Sequence, residues 1–269
     1  MHTSYQNVFA EEGIFLCESL PFTRCRVIQP HKLERLGFLP SAAIVFLMPY
    51  AVKITGERNL SRYAVAKDYH VYVRSLSERL LSKLQMMHPE NGFRVFSDNS
   101  PIDERHAAAL CGLGVLGDNG LILSERYGSY VFIGEVLTDL PIEVLGEKAS
   151  YEIKTCRHCG ACTAACPKKD VCLSALTQKK GILTIAEASE ICALGSVWGC
   201  DRCQEVCPYN DAIEETPIDF FKRDLVPYLT VDALLSMSDD AFMERAYAWR
   251  GRNTILRNLE LVKKSLEST

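Results

Sequence analysis

The 269 residues, 48% of them hydrophobic and 24% charged, are typical of a soluble globular protein that can bury a substantial core. A net charge of −4 argues against a uniformly basic nucleic-acid-binding surface, although it permits a local basic patch. No apolar run approaches the roughly 18 residues of a membrane span, and no signal peptide opens the chain. We therefore expect a cytoplasmic protein that does not enter a membrane.

The first half of the chain is predicted to mix strands and helices. The first forty residues look irregular, and the continuous apolar run 42–48, closed by Pro49, then predicts a buried strand. Apolar residues at three- and four-residue steps predict a long helix over 60–87, capped by Asn59 or Ser61. A short strand is expected at 93–96.

A strand-to-helix junction is predicted to follow at 98–100. Ser100 is the expected N-cap, with Pro101 at the first helical position and Asp103 completing a pattern like a capping box. Such junctions place polar side chains at the rim of a sheet, where ligands commonly bind. Asp98 is therefore a candidate functional residue, and its alternative role is that of an ordinary helix cap.

Beyond this helix, which is expected to end at Gly112, two further strands are predicted. The stretches 121–124 and 129–137 are apolar, and Gly128 lies between them. This pattern favours a β-hairpin that turns at Gly128.

Two cysteine motifs occupy the region from 155 to 210. The first has the C-x2-C-x2-C-x3-C-P spacing of a bacterial [4Fe–4S] ferredoxin, and the second is a shorter run that also ends in Cys-Pro. Disulfides would need an oxidising compartment, and zinc would use four ligands from separated pairs, so both alternatives fit poorly. We therefore predict two [4Fe–4S] clusters and a role in electron transfer.

Two such clusters need eight thiolates, and the two motifs supply seven. In ferredoxins the last cysteine of each motif binds the other cluster, which predicts the first ligand set as Cys156, Cys159, Cys162 and Cys207. The second set contains Cys166, Cys200 and Cys203, with either Cys172 or Cys192 as the remaining ligand. Cys192 lies in an apolar, helix-like pattern where an inert buried thiol is the commoner role, so Cys172 is favoured.

The last segment is predicted to be helical, with helices near 231–235 and 240–247. Its basic residues fit either a solvated helix face or a nucleic-acid contact. They are Arg245, Arg250, Arg252, Arg257, Lys263 and Lys264. The chain as a whole is predicted to comprise a domain over 1–150, a cluster domain over 151–215 and a helical segment over 216–269.

Several local strings resemble the epoxyqueuosine reductase family, over a stretch of the chain from 41 to 258. The second cysteine motif resembles that family's second cluster motif, and the sequence around Cys172 looks like its isolated cysteine ligand. The other matching strings are Met48-Pro49-Tyr50, Ser61-Arg62-Tyr63-Ala64 with Asp68-Tyr69-His70, Asp98-Asn99-Ser100-Pro101 with Glu104, Gly112-Leu113-Gly114 with Gly117 and Asn119, and Tyr127-Gly128-Ser129 to Thr138-Asp139.

Members of this family are cobalamin-dependent iron–sulfur reductases that remove the epoxide oxygen from epoxyqueuosine in tRNA, the last step of queuosine biosynthesis. The resemblance implies an α+β fold with a cofactor-binding N-terminal domain, a ferredoxin-like double-cluster domain and a short helical C-terminus. It also implies tRNA and a low-potential ferredoxin or flavodoxin-like electron donor as partners, and Asp98 as proton donor. The implied cobalamin contacts are Ser61, His70, Asp98, Asn119 and Ser174.

The sequence departs from the family at Asp118, where a lysine is usual, and at Gly120, which replaces a hydroxyl residue. It also resembles a short form without most of the C-terminal helical repeats that grip tRNA in longer members. Two alternatives follow: a ferredoxin-like electron-transfer protein without a corrinoid, or a corrinoid reductase that acts on a different small substrate. For His70, the alternative is a core histidine.

Overall fold

The computed structural model describes residues 4–148, 150–167 and 171–267, with side chains described as far as 264. The chain forms two compact units, each assembled from segments that are distant in sequence. The first unit contains Met1–Tyr50, Tyr72–Gly160 and Pro208–Ile218, and the second contains Ala51–Val71, Ala161–Cys207 and Asp219–Thr269. The predicted domain boundaries near 150 and 215 stay a prediction.

The first unit is a four-stranded sheet with helices, accompanied by a small two-stranded sheet. Its elements are α1 (Tyr5–Ala10), β1 (Cys17–Pro21), α2 (Pro30–Leu33), β2 (Ala42–Pro49), α3 (Tyr69–Met87, whose first turn belongs to the second unit), β3 (Phe93–Ser97), α4 (Glu104–Leu110), β4 (Val115–Leu116), β5 (Ile122–Leu123), β6 (Val131–Thr138) and α5 (Ile142–Leu145).

The main sheet has the strand order β1-β2-β6-β3, and every pair in it is antiparallel. All eight residues of β2 are buried, as its continuous apolar run predicts for a central strand. Side chains of directly paired residues lie on one face of a sheet, so Val45, Glu135 and Phe96 share a face. Helix α4 packs on β2 and β6, and its alanines join the core on that face.

Residues 4–40 contain two short helices and a strand, contrary to the expectation of an irregular segment. The Ser4 hydroxyl accepts the backbone N–H of Gln6 and caps α1, and β1 pairs with β2 in the register Cys17↔Phe46. Both elements are short, and β1 obtains its hydrogen bonds from a strand about 25 residues away. Local periodicity therefore gives little sign of them.

The predicted helix over 60–87 begins only at Tyr69. The Asp68 carboxylate accepts the backbone N–H of His70 at 2.9 Å, so neither Asn59 nor Ser61 is the cap. Residues 62–64 form a separate 3-10 turn. The prediction was too long because Leu60 and its apolar neighbours continue the helical spacing but belong to the core of the second unit.

The predicted hairpin through Gly128 is wrong in its strand pairing. Strand β5 pairs with β4 in the small sheet, whereas β6 lies between β2 and β3. A single bridge between Ser124 and Gly128 closes the turn. Asn210 holds this turn, since its side chain accepts the Ser129 N–H at 2.8 Å and donates to the Ser129 hydroxyl at 2.9 Å. A contact across 81 residues cannot be read from the local pattern.

The second unit is helical. Its elements are α6 (Ala161–Ala165), α7 (Leu173–Thr177), α8 (Ile185–Leu194), α9 (Arg202–Glu205), α10 (Val231–Ser236), α11 (Asp239–Met243) and α12 (Arg252–Glu267). The core is built around fully buried Trp198 and Tyr247. The helices predicted at 231–235 and 240–247 correspond to α10 and α11, although α11 ends at Met243. Across the described residues, no helix combines the length and apolarity that a membrane span requires.

Candidate active site and cluster-binding cysteines

Asp98 directly follows β3 and has a left-handed backbone conformation with φ of +66°. Few residues other than glycine adopt this conformation, although aspartate and asparagine are enriched in it. The strand end is fixed by the Ser97 hydroxyl, which donates to the carbonyl of Ile133 at 2.7 Å. The Asp98 N–H donates to Glu104 Oε2 at 3.0 Å. Backbone strain of this kind is concentrated at functional sites.

Residues from the start of α2 hold the loop that contains Asp98. Lys32 Nζ donates to the Asn99 carbonyl at 2.6 Å and also contacts Asn99 Oδ1. Gln29 Nε2 donates to the carbonyl of Ser100 at 3.0 Å. The backbone that follows Asp98 is therefore held by two side chains that are about 70 residues away in sequence.

Helix α4 begins later than predicted and is capped by a different residue. Asp103 is the N-cap, and its carboxylate accepts the N–H of His106 at 3.2 Å. Ser100, the predicted cap, accepts the N–H of Ile102 at 3.1 Å and forms a turn before the helix. Asp98 does not cap α4 either, so the capping alternative for this residue is wrong.

Glu104 opens α4 beside Asp98 and is a partly desolvated acid. Burial is the main cause that raises the pKa of its carboxyl to about 7, and the nearby charge of Asp98 acts in the same direction. The hydrogen bond from the Asp98 N–H opposes this shift. Beside Asp98, the site therefore contains a glutamate whose carboxyl titrates near neutral pH.

Four cysteine thiols of the second unit lie near one another. Burial is the main cause that raises the pKa of Cys203 to about 11, and the charges of Cys200, Cys172 and Cys166 contribute to this shift. Cys172 stands at the N-cap of α7. Cys192 makes a different contact, because its thiol donates to the carbonyl of Leu261 at 3.4 Å.

These four thiols are the residues predicted to bind the second cluster. Their donor chemistry fits an iron–sulfur cube, which takes thiolates from several directions. The twelve cysteines all lie within the described residues, and none of them is joined to another by a disulfide.

In the first unit, Cys156 lies beside Asp118 and His158. One ligand-type atom from each of the three residues lies within 4.8 Å of the others. Asp118 Oδ1 is 2.7 Å from His158 Nδ1, and Thr155 Oγ1 is 2.9 Å from His158 Nε2. The departure from the family at position 118 thus introduces a carboxylate that pairs with a histidine next to a predicted cluster ligand.

The four ligands predicted for the first cluster are divided between the units. Cys156 and Cys159 belong to the first unit, and Cys162 and Cys207 belong to the second. Cys207 is buried, whereas Cys159 is exposed. This ligand set stays a prediction.

Two family models match the chain. Residues 33–99 match "Epoxyqueuosine reductase QueG, DUF1730", and residues 155–210 match "4Fe-4S dicluster domain". The second match confirms the prediction of a double [4Fe–4S] cluster region. An epoxyqueuosine reductase from Aliivibrio fischeri is 32% identical over 242 residues, which cover 82% of this chain and 64% of that protein. The chain belongs to the epoxyqueuosine reductase family.

Solved structures of the family share this fold. The epoxyqueuosine reductase from Streptococcus thermophilus matches 97% of this chain and 80% of its own, with a TM-score of 0.76 and 24% identity. An epoxyqueuosine reductase bound to an epoxyqueuosine-modified tRNA-Tyr stem loop matches 98% of this chain and 80% of its own, with a TM-score of 0.77 and 21% identity. These matches confirm the predicted α+β fold class.

The residues that the family resemblance implies as cobalamin contacts are found in both units. Asp98 and Asn119 belong to the first unit, and Ser61, His70 and Ser174 belong to the second. The amide nitrogen of Asn119 is buried and has no hydrogen-bond partner among the described residues. A buried donor without a partner fits a bound polar group, so the first unit offers one feature that a corrinoid with amide side chains would use.

The three contacts implied in the second unit have partners within the protein. The Ser61 hydroxyl donates to buried Asp201 at 2.5 Å, and Ser174 Oγ accepts Gln178 Nε2 at 3.3 Å. His70 Nδ1 lies 2.8 Å from Asp68, and about half of the histidine side chain is exposed. The core-histidine alternative for His70 is therefore wrong, and its role in cofactor binding stays a prediction.

The arginines of the basic C-terminal segment make contacts inside the protein. Arg245 donates to the carbonyl of Asp224, Arg252 to those of Leu234, Met237 and Ser238, and Arg257 to that of Gly181. The Arg250 guanidinium lies 3.7 Å from the ring centre of Trp249. Lys263 and Lys264 are exposed on α12. Much of the positive charge noted in the sequence thus supports the fold.

Proposed function

We propose that this chain reduces epoxyqueuosine in tRNA to queuosine, with two [4Fe–4S] clusters and cobalamin as cofactors. Family membership supports this activity, although the chain spans 64% of the length of the Aliivibrio fischeri relative. The observation that carries the proposal is the Asp98 loop, in which a left-handed aspartate lies against a second carboxyl that titrates near pH 7. A tRNA substrate would place this enzyme in the cytoplasm, which is the compartment predicted from the sequence.

The clusters, the corrinoid and Asp98 would each have a separate role in this reaction. The eight predicted cysteine ligands would hold the clusters, which pass electrons from an external low-potential donor. A corrinoid, bound with the help of Asn119 and other polar side chains, would supply a reduced cobalt centre for attack on the epoxide. Asp98 would hold the proton that the departing oxygen takes up.

The backbone of the loop that carries Asp98 is restrained on both sides of this residue. Lys32 and Gln29 restrain the backbone after Asp98, and Glu104 restrains its N–H. Preorganisation of this kind lowers the cost of placing an acid against a reacting atom.

The proposal is tested with anaerobically reconstituted protein, cobalamin, a chemical reductant and tRNA that contains epoxyqueuosine. Conversion to queuosine is followed by mass spectrometry of the digested nucleosides. Asp98→Asn is the appropriate variant, because asparagine tolerates the left-handed backbone and removes only the acid. We expect its turnover to fall about 10²-fold or more, the usual contribution of a positioned acid.

Other results would point to other functions. Reversible reduction of the clusters, with no corrinoid binding and no effect of Asp98→Asn, would identify an electron-transfer protein. Corrinoid binding without conversion of epoxyqueuosine would identify a corrinoid reductase with a different substrate.

A further inference from the structure

A basic segment of the first unit lies against the loop that carries Asp98. Residues 24–35, which we call the 24–35 strip, contain four arginine or lysine residues and one glutamate, in a chain whose net charge is −4. The basic members are Arg24, Arg26, Lys32 and Arg35. A local excess of positive charge on an acidic protein favours a polyanionic partner at that surface.

Backbone hydrogen bonds join the 24–35 strip to the Asp98 loop. The Ile28 N–H donates to the carbonyl of Pro101 at 2.9 Å, and the Asp103 N–H donates to the carbonyl of Arg26 at 2.9 Å. The residues between these two pairs form an isolated antiparallel bridge. The strip therefore has a fixed position beside the backbone that follows Asp98.

Most of the cations in the strip are available to a ligand. Arg24 and Arg35 are exposed, and their side chains make no hydrogen bond or ion pair with a described residue. The Arg26 side chain is 69% exposed and lies 3.8 Å from the Asp103 carboxylate, at the limit of an ion pair. A phosphate group could therefore bind these three guanidinium groups without first breaking a strong contact.

The basic residues near the C-terminus are used differently. Arg245, Arg252 and Arg257 each donate to backbone carbonyls of the second unit. A guanidinium group that already satisfies a carbonyl gains less from a phosphate, because one hydrogen bond is exchanged for another. The 24–35 strip is therefore better suited to a polyanion than the segment that the sequence indicated.

The strip also presents apolar side chains to solvent. Val27 is 39% exposed and Ile28 is 51% exposed, and both follow Arg26 directly in the chain. In single-stranded RNA loops the bases are unstacked and expose their apolar faces. Val27 and Ile28 offer a contact for such faces beside the arginines.

The proposed reaction places RNA next to this surface. The modified base must reach Asp98, so the phosphates of that nucleotide and of its neighbours must pass close to the Asp98 loop. Phosphate contacts of this kind fix the register and orientation of a nucleic acid on a protein. An acidic electron donor would need to approach the cluster-binding cysteines, and none of the predicted ligands lies in the strip.

We propose that the 24–35 strip binds the sugar–phosphate backbone of the tRNA stem loop that carries epoxyqueuosine, with Arg24 and Arg35 as phosphate contacts. This inference rests on the proposed function and names the surface that would hold its substrate. The strip does not touch the reacting atoms. It strengthens binding of the RNA and directs the modified base towards Asp98.

The first measurement is the affinity of the reconstituted protein for a fluorescently labelled stem loop that contains epoxyqueuosine, over a range of salt concentrations. We compare wild type with Arg24→Gln/Arg35→Gln. Loss of two phosphate contacts should lower the slope of log K against log salt concentration by about 1.5, and should weaken binding about 30-fold at 0.1 M salt.

The matched control is Arg74→Gln/Lys180→Gln, which removes the same charge from two other exposed side chains that also make no hydrogen bond or ion pair with a described residue. We expect its salt dependence to equal that of the wild type. Thermal unfolding of both variants should match the wild type, because surface substitutions without partners have little effect on stability.

The second measurement separates binding from chemistry. The Arg24→Gln/Arg35→Gln variant should raise KM for the stem loop by about the same 30-fold, with kcat within about twofold of the wild type. Asp98→Asn should instead lower kcat.

The outcomes distinguish the two proposals. An active wild type whose affinity and salt dependence are unchanged in Arg24→Gln/Arg35→Gln overturns the strip and leaves the proposed function standing. Equal weakening by Arg74→Gln/Lys180→Gln also overturns the strip, since the attraction would then be general. A wild type that binds the stem loop through the strip but does not convert epoxyqueuosine overturns the proposed function alone. A wild type that binds no stem loop overturns both.

Discussion

Replacement of Glu135 by glutamine should change how the stability of the first unit depends on pH. Glutamine keeps the shape of the side chain and cannot ionise. Burial is the main cause that raises the pKa of Glu135 from an ordinary 4.5 to about 8 in the folded state. Because the folded pKa lies above the unfolded one, the stabilisation is complete below about pH 4.5 and is lost as the pH rises through 8. The variant has no such loss.

The size of this pH-dependent change in stability follows from the shift in the pKa of Glu135. One pKa unit corresponds to about 1.4 kcal/mol, and between pH 5 and pH 8 the unfolded chain is ionised at this position while the folded protein is mostly protonated. The wild type should therefore lose about 4 kcal/mol relative to Glu135→Gln across these three pH units. This is a large part of the stability of an ordinary domain.

The assay must report on the sheet of the first unit. Both tryptophans, Trp198 and Trp249, belong to the second unit, so their fluorescence is unsuitable. Hydrogen exchange of the β6 amides gives the free energy of opening for this strand. Comparison of variant and wild type at each pH cancels the pH dependence of intrinsic exchange, and Glu143→Gln provides the matched exposed control. A difference that stays constant from pH 5 to pH 8 would refute the assignment of Glu135 as a buried neutral acid.

Three further predictions concern the clusters and the two cores. Cys172→Ala should lower the iron content from about eight atoms per chain towards four, whereas Cys192→Ala should leave it near wild type; the reverse result would exchange the two assignments. Gly134→Ala should cost about 1–3 kcal/mol in the free energy of unfolding, measured by hydrogen exchange of β6, because the new methyl group would meet the buried ring of Phe46. Asp201→Ala should lower the free energy of unfolding by about 3–5 kcal/mol, measured by urea unfolding with tryptophan fluorescence. The reason is that this buried carboxylate accepts hydrogen bonds from four donors, one of which is an arginine. A decrease of less than about 1 kcal/mol would contradict this role.

The features that could be predicted are those that depend on residues close together in the chain. The cysteine motifs over 155–210 predicted the double-cluster region, since short gaps between ligands wrap the backbone around a cube. The continuous apolar run at β2 predicted a central buried strand for an equally local reason. Asp98 became a candidate because it follows a strand and precedes a helix.

Contacts between residues that are distant in sequence could not be predicted, because they depend on the tertiary fold. The partner of β5, the register of β1, and the contacts of Lys32 and Gln29 with the Asp98 loop all join residues that are far apart in sequence. Glu135 was not among the residues predicted to be functional, although a charged residue in the apolar stretch 131–138 was a visible signal. Its chemistry depends on the helix that covers it, because burial, rather than residue type, is what keeps a carboxyl protonated at neutral pH.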